Sequence, residues 1–220
     1  MHSSFPIIAI DGPSAGGKGT IARKLAAHFG FAHLDTGLLY RAVGLAVLKA
    51  GKDPTDAVIA EQAARALDPA TIMNSADDPA LRADSTSVAA AKVAAVPAVR
   101  AALLKFQQDF CLRPPGGKPG AVLDGRDIGT VIAPHATVKI YVTAAVETRA
   151  ERRLKELQER GEHATYATVL ADMKERDARD ASRSIAPAKP ADDAVILDTT
   201  RLTAEEAFTK ARMIAEEKLA

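Results

Sequence analysis

Residues 7–29 constrain this chain more than any other stretch. The apolar run Ile7, Ile8, Ala9, Ile10 leads into GPSAGGKGT at residues 12–20 and from there into a helical pattern. Gly12 to Lys18 fits G-x-x-x-x-G-K, in which glycines let main-chain N–H groups curl around an anion while the lysine reaches the outer phosphates. The helix that follows would point its positive end at the same place. A glycine cluster between a strand and a helix can also be a plain tight turn, but here seven positions and both flanks agree. Gly12, Pro13, Ser14, Ala15, Gly16, Gly17, Lys18, Gly19 and Thr20 are therefore the candidate nucleotide-binding segment. A strict motif has Ser or Thr directly after the lysine to meet magnesium. In this chain Gly19 intervenes and the hydroxyl comes one place later, at Thr20.

The rest of the chain repeats the strand-then-helix pattern. Ile21, Leu25, Ala26 and Phe29 are spaced for one helix face, and Gly30 follows as a stop. A short run over residues 32–34 ends in Asp35-Thr36-Gly37 and passes into a second helix with Tyr40, Arg41, Val43 and Val47, ending near Gly51. Alternating strands and helices predict a parallel sheet, with ligands beyond the carboxyl ends of its strands, which puts Asp35, Thr36 and Arg41 near the phosphate loop. Residues 52–112 offer no convincing strand and are expected to be a mostly helical insertion. Asp53 and Pro54 look like an N-cap and first helical position, and Pro97 like the start of a helix through Phe110. The alanine-rich residues 89–95 are expected to be a close-packed helix without chemistry. Residues 121–123, 138–142 and 194–197 supply the remaining strands, and Thr203 with Glu206 forms a capping box for the last helix.

Chemistry-bearing residues cluster in two further places. The strand at 121–123 runs into Asp124-Gly125-Arg126-Asp127, where an acid beside a phosphate loop can hold magnesium and an arginine can grip phosphate, the alternative being a salt-bridged turn. Residues 147–183 read as a helical hairpin, with Gly161 stopping its first helix and Thr165 capping its second. At its end Arg176, Arg179, Asp180 and Arg183 share one face. Such a stripe is either solvated surface or a face turned to an anion, and three arginines to one aspartate favour the anion.

Composition sets the outer bounds. The chain has 220 residues and is 47% hydrophobic, enough for one domain with insertions. Twenty-nine Lys and Arg against 28 Asp and Glu leave a net charge of +1. Non-specific nucleic-acid binding is therefore not expected, and any basic site must be local. Cys111 is the only cysteine, so neither an internal disulfide nor a thiolate cluster is possible. With no signal-peptide or membrane-spanning pattern, a cytoplasmic protein is expected. The only asparagine, Asn74, is followed by Ser75, so the chain lacks the Asn-Lys-x-Asp element of a GTP-binding switch.

GPSAGGKGT, LDTGLLYR, DGRDIGT, the RAERR stretch and KERDARDASR, in this order and at these separations, resemble the bacterial cytidylate kinase family of P-loop nucleoside monophosphate kinases over nearly the whole chain. The resemblance implies an α/β fold, a three-layer P-loop kinase core around a five-stranded parallel sheet. It further implies a substrate-binding insertion over about residues 36–111 and a helical lid over about 150–185. The implied activity is ATP-dependent phosphorylation of CMP and dCMP, with Mg2+ as cofactor, ATP as co-substrate, and neither nucleic acid nor membrane as partner; a monomer is expected. In this picture Lys18 follows the transferring phosphoryl group, Thr20 and Asp124 position the metal, and Thr36, Arg41 and Arg126 serve the acceptor. Arg153 and Arg176 bridge donor and acceptor, Asp180 meets the ribose and Arg183 helps hold the nucleotide. For the base, Asp127 accepts from cytosine N4 and Arg100 donates to N3 or O2. Two departures stand out. Ala91 occupies the place of a family serine that contacts cytosine, with Ser85, Thr86 or Ser87 as possible substitutes. The insertion is also short between Leu67 and Ser87, as if a small sheet had been lost.

Overall fold

A computed structural model describes residues 5–75, 78–183 and 185–220. Residues 76–77 of the expected insertion and 184 of the expected lid lie outside the described residues. Five strands form one parallel sheet in the order β2-β3-β1-β4-β5: β1 (Ile7–Asp11), β2 (Ala32–Asp35), β3 (Ala121–Gly125), β4 (Val138–Thr143) and β5 (Val195–Asp198). β1 pairs in register with β3 and β4, Ile10 opposite both Asp124 and Ile140. Covered on both faces and both edges, all five of its residues are buried, which accounts for its unbroken apolar run. The chain leaves β1 on one side towards β3 and β2, and later returns on the other side to β4 and β5. The carboxyl end of β1 is therefore the point where strand order reverses, the place where open α/β sheets bind ligands.

The chain divides into two compact units, residues 34–113 and the remainder. In the sheet unit, α1 (Lys18–Phe29) and the C-terminal α10 (Ala204–Leu219) cover one face, packing Ile21, Leu25, Ala211 and Ala215 on Ile8, Ile10 and Ile140. The spacing of Ile21, Leu25 and Ala26 turned one stripe inward, and Gly30 ends α1 at φ 68, a left-handed conformation that costs glycine little. Thr203 and Glu206 form the expected capping box on α10: the hydroxyl accepts from Glu206 N at 3.2 Å and the carboxylate from Thr203 N at 2.8 Å. Such a cap contributes about 1 kcal/mol.

The second unit contains α2 (Thr36–Lys49), α3 (Ala57–Ala66), α4 (Pro69–Asn74), α5 (Pro79–Arg82), α6 (Asp84–Val93) and α7 (Pro97–Leu112). Its core joins Leu39 and Val43 to Ala60, Ala64, Val93, Val99 and Leu103. The alanine-rich helix earns its composition through proximity. A Cβ added to Gly44 on α2 would meet the backbone and side chain of Ala89 and Ala90 at 2.9–3.0 Å, so two helix backbones lie almost in contact there. Between Leu67 and the start of α6 at Asp84 the described residues hold only the short α4 and α5, each started by an aspartate cap and a proline.

One expected boundary is corrected. Asp53 and Pro54 do not start a helix: the Asp53 carboxylate accepts from Thr55 N at 2.9 Å and closes a turn, while α3 begins at Ala57 with Asp56 as its cap. Two aspartates three residues apart offered the same capping chemistry, and Asp56 prevailed because the apolar spacing of Ala60 and Ala64 runs from it.

Candidate active site

The phosphate loop is shaped by contacts that only some of its residues tolerate. Gly12 sits at φ 146, and a Cβ there would lie 1.9 Å from the Val142 carbonyl oxygen of β4, so no other residue fits without moving the strand. Gly17 adopts φ 92 as the N-cap of α1 and leaves the first N–H groups of that helix uncapped by any side chain. Ala15 also takes a positive φ, 55, an arrangement that costs a non-glycine residue roughly 1–2 kcal/mol. Its methyl packs against the hairpin of α8 (Val146–Glu159) and α9 (Tyr166–Ala181), in a cluster with Ala150, Leu157, Val169 and Met173. Lys18 opens α1 and its Nζ donates to the Pro13 carbonyl at 3.1 Å, folding the ammonium back over the loop. Thr20, in the first turn, is half-buried.

Beside this loop β3 ends in the buried Asp124. Its Oδ2 lies 3.6 Å from where a Cβ on Gly19 would stand, so the carboxylate faces the departure point of α1. Its Oδ1 bonds to His33 Nε2 of β2 at 2.8 Å. A carboxylate beside the phosphate loop, with a threonine hydroxyl in the first turn of α1, offers hard oxygen donors of the kind Mg2+ takes, usually through water.

Arg126 follows directly. Its Nε donates to Asp180 Oδ2 of α9 at 2.9 Å, and Arg183 Nη2 stands 3.6 Å from Asp180 Oδ1. Burial alone would raise the Asp180 carboxyl, but the charges of Arg126, Arg183 and Arg176 and the hydrogen bond from Arg126 outweigh it and hold the group below its usual range. The carboxylate is thus ionised among three guanidinium groups. Arg183 lies beyond the end of α9, whose C-cap is Ser182, so it reaches Asp180 from the following segment and not from the helix face. Arg179, the fourth member of the stripe, turns aside to pair with Glu175. Arg153 on α8 pairs with Glu156 at 3.0 Å.

Asp127 is buried and precedes a π-helical turn over Ile128–Ile132. That turn is held by Asp11, the last residue of β1, whose two carboxylate oxygens accept from Ile128 N at 2.7 Å and Gly129 N at 2.8 Å. Burial pushes the Asp11 carboxyl up to about 6, against those two hydrogen bonds; nearby Asp127 raises it further and Lys18 lowers it. In the second unit, Thr36 is buried at the start of α2, where Asp35 caps Gly37 N at 2.9 Å, and Arg41 Nη1 donates to the Leu81 carbonyl at 3.0 Å. Arg100 lies over the Tyr40 ring, 5.4 Å from its centroid, with Nη1 donating to the Ala94 carbonyl at 3.3 Å. Ala91 is buried on α6. Of the three nearby hydroxyls, Thr86 donates to the Ala80 carbonyl at 2.7 Å, Ser85 is exposed, and the Ser87 oxygen is buried without a hydrogen-bond partner.

Three positioning residues were not singled out by sequence reasoning. Arg149 on α8 donates to the Ala144 and Ser14 carbonyls at 2.9 and 3.3 Å and to Asp177 of α9 at 2.6 Å, tying the phosphate loop to the hairpin. Thr199, buried after β5, donates its hydroxyl to the Gly16 carbonyl at 3.0 Å and its backbone N–H to the Thr143 carbonyl at 2.8 Å. Asp11 is the third; an acid in the last place of an otherwise apolar strand was the available signal.

The sequence profile of the cytidylate kinase family matches residues 8–217. The chain belongs to the cytidylate kinase family. Among curated cytidylate kinases it is 59% identical over 212 residues to that of Rhodospirillum rubrum, covering 96% of this chain and 98% of that one. It is 61% identical over 205 residues to that of Paramagnetospirillum magneticum, covering 93% and 95%. Among solved structures, an uncharacterized protein from Eubacterium ventriosum covers 98% of each chain with a TM-score of 0.52 at 16% identity, a likeness of fold alone. Members of the cytidylate kinase family are nucleoside monophosphate kinases, and the arrangement here has the parts such a transfer asks for: a phosphate cradle, a carboxylate beside it, and convergent guanidinium groups. Among the described residues no single helix is long and apolar enough to cross a membrane.

Proposed function

We propose that this chain transfers the terminal phosphoryl group of ATP directly to CMP and dCMP. An oxygen of the acceptor's phosphate attacks the γ-phosphorus, the bond to the β–γ bridging oxygen breaks, and ADP leaves with that electron pair. The observation that carries the reading is the convergence of Arg126, Arg176 and Arg183 on Asp180, because it joins the end of β3 to the hairpin of α8 and α9 in one cationic cluster. Such a cluster suits a phosphate acceptor, and Asp180 can exchange its arginine partner for ribose hydroxyls when a nucleotide enters. The backbone of residues 12–20 holds the donor phosphates, and Lys18 leaves the Pro13 carbonyl to follow the moving group. Thr20 and Asp124 would hold Mg2+, which would supply neutralising charge for the donor phosphates. Arg41 and Thr36 serve the acceptor phosphate, and Arg153 with Arg176 spans donor and acceptor. The α8–α9 hairpin acts as a lid that excludes water, a competing acceptor.

Cytosine is read by a buried acceptor and a donor, Asp127 for N4 and Arg100 for N3 or O2. Uracil reverses the polarity at the first two positions, so it would leave those groups unpaired. Ala91 removes one acceptor of the family's pattern, so CMP should exceed UMP by a smaller margin than a serine-bearing relative shows. The test is a coupled ADP-release assay across CMP, dCMP, UMP and AMP, in the wild type and Asp127→Asn. CMP and dCMP should lead, and the amide, which can both donate and accept, should narrow the CMP to UMP ratio of kcat/KM about tenfold. An unchanged ratio would remove Asp127 from base reading, and turnover led by another acceptor would overturn the substrate assignment.

A further inference from the structure

β2 alternates buried and half-buried residues, Ala32, His33, Leu34, Asp35. It is an edge strand next to β3, so a short aliphatic or a solvated polar side chain would satisfy position 33. Instead His33 extends across to β3 and bonds through Nε2 to Asp124 Oδ1 at 2.8 Å, with the histidine side chain 21% exposed and the aspartate 5%. Across this contact Nε2–H is the donor that suits a carboxylate oxygen. The two oxygens of Asp124 are thereby distinguished. Oδ1 meets the imidazole, while Oδ2 lies on the side of Gly19, 3.6 Å from the position of a Cβ there, with Arg23 Nη1 3.8 Å from the same point. A hydrogen bond to one oxygen narrows the broad rotation of an aspartate carboxylate about its last bond.

We infer that His33 is a positioning residue that orients the Asp124 carboxylate so that Oδ2 faces the phosphate loop and the metal that accompanies ATP. The inference rests on the assignment of Asp124 to that metal. A hydrogen-bonded partner fixing a metal-facing carboxylate acts by removing alternative orientations, and the loss of such partners typically costs ten- to a hundredfold in metal affinity. His33 need not touch metal or nucleotide for this effect.

The readout is the thermodynamic coupling between Mg2+ and ATP, the ratio of ATP dissociation constants measured by calorimetry in EDTA and in excess Mg2+, without acceptor. His33→Leu should reduce that ratio about tenfold while leaving ATP binding in EDTA unchanged, an outcome that a general loss of structure would not give. His33→Gln, whose amide can still donate, should keep most of the coupling; equal loss in both variants would overturn the hydrogen-bond basis. If His33→Leu folds poorly, His33→Ala supplies the same comparison. Asp124→Asn separates the two levels. Coupling lost in Asp124→Asn but intact in His33→Leu overturns the role of His33 alone, and coupling intact in both overturns the assignment of Asp124 and this inference with it.

Discussion

Lys18 and Asp11 stand at the two ends of one loop and carry opposite lessons about single residues. With the Lys18 ammonium on the Pro13 carbonyl, the charge is held where a phosphate would replace that neutral oxygen, and its value should grow as negative charge shifts towards the leaving group. Lys18→Ala is therefore expected to lower kcat by on the order of a hundredfold or more while weakening ATP binding much less, which steady-state kinetics with a parallel binding titration would resolve. Asp11 acts on stability. Its carboxyl is raised from 3.8 to about 6, so the folded protein holds that proton more tightly than the unfolded chain does. The associated stabilisation is complete below about pH 3.8 and is lost as pH rises through about 6. Over that interval it is on the order of 2–3 kcal/mol. Denaturant unfolding of the wild type and Asp11→Asn at pH 4, 5, 6 and 7 should show the mutant gaining on the wild type with rising pH. Parallel curves would contradict the raised value.

At the scale of elements, the α8–α9 hairpin combines a small apolar seam with a heavily charged exterior. Ala150, Leu157, Val169 and Met173 form the seam, and Arg149 fixes it to the loop through Asp177 and Ser14. Arg153 and Arg176 lie outside that seam. If they serve the reaction on closure, Arg153→Ala and Arg176→Ala should each depress kcat strongly. The Arg153–Glu156 pair, one helical turn apart and open to solvent on the Glu156 side, contributes about 1 kcal/mol, so Arg153→Ala should lower the melting temperature by only a few degrees. Mutants that melt early yet keep full kcat would make both arginines structural. Helix starts show the same division between local and distant causes. Thr203, Thr165 and Asp56 cap where their spacing from an apolar stripe requires, whereas Asp53 has equal capping chemistry and no stripe to serve.

For the molecule as a whole, ATP bound at the carboxyl end of β1 would be held by backbone from a loop that exists only when the sheet is formed, so its binding should stabilise the fold by linkage. At a hundred times the dissociation constant this is about 2.7 kcal/mol, a rise of roughly 5–10 °C in Tm for a chain of this size. Differential scanning fluorimetry with Mg-ATP checks it, and an unshifted Tm would count against binding at the loop. The parallel sheet and its phosphate loop were legible in the amino-acid order because their causes are local: β-forming apolar runs, glycines at positive φ, and helix stripes read within one turn. Gly12 is the exception within the loop: a Val142 carbonyl far along the chain requires it, yet the motif already names it. The pairing of β2 with β3 follows from closing the sheet, and it alone turns His33 from an unremarked strand residue into the partner of Asp124. The sequence placed Asp180 on a basic stripe. Only the fold decided that Arg126 approaches from one side and Arg183 from beyond the helix end, because guanidinium groups converge through packing between segments that local spacing does not encode.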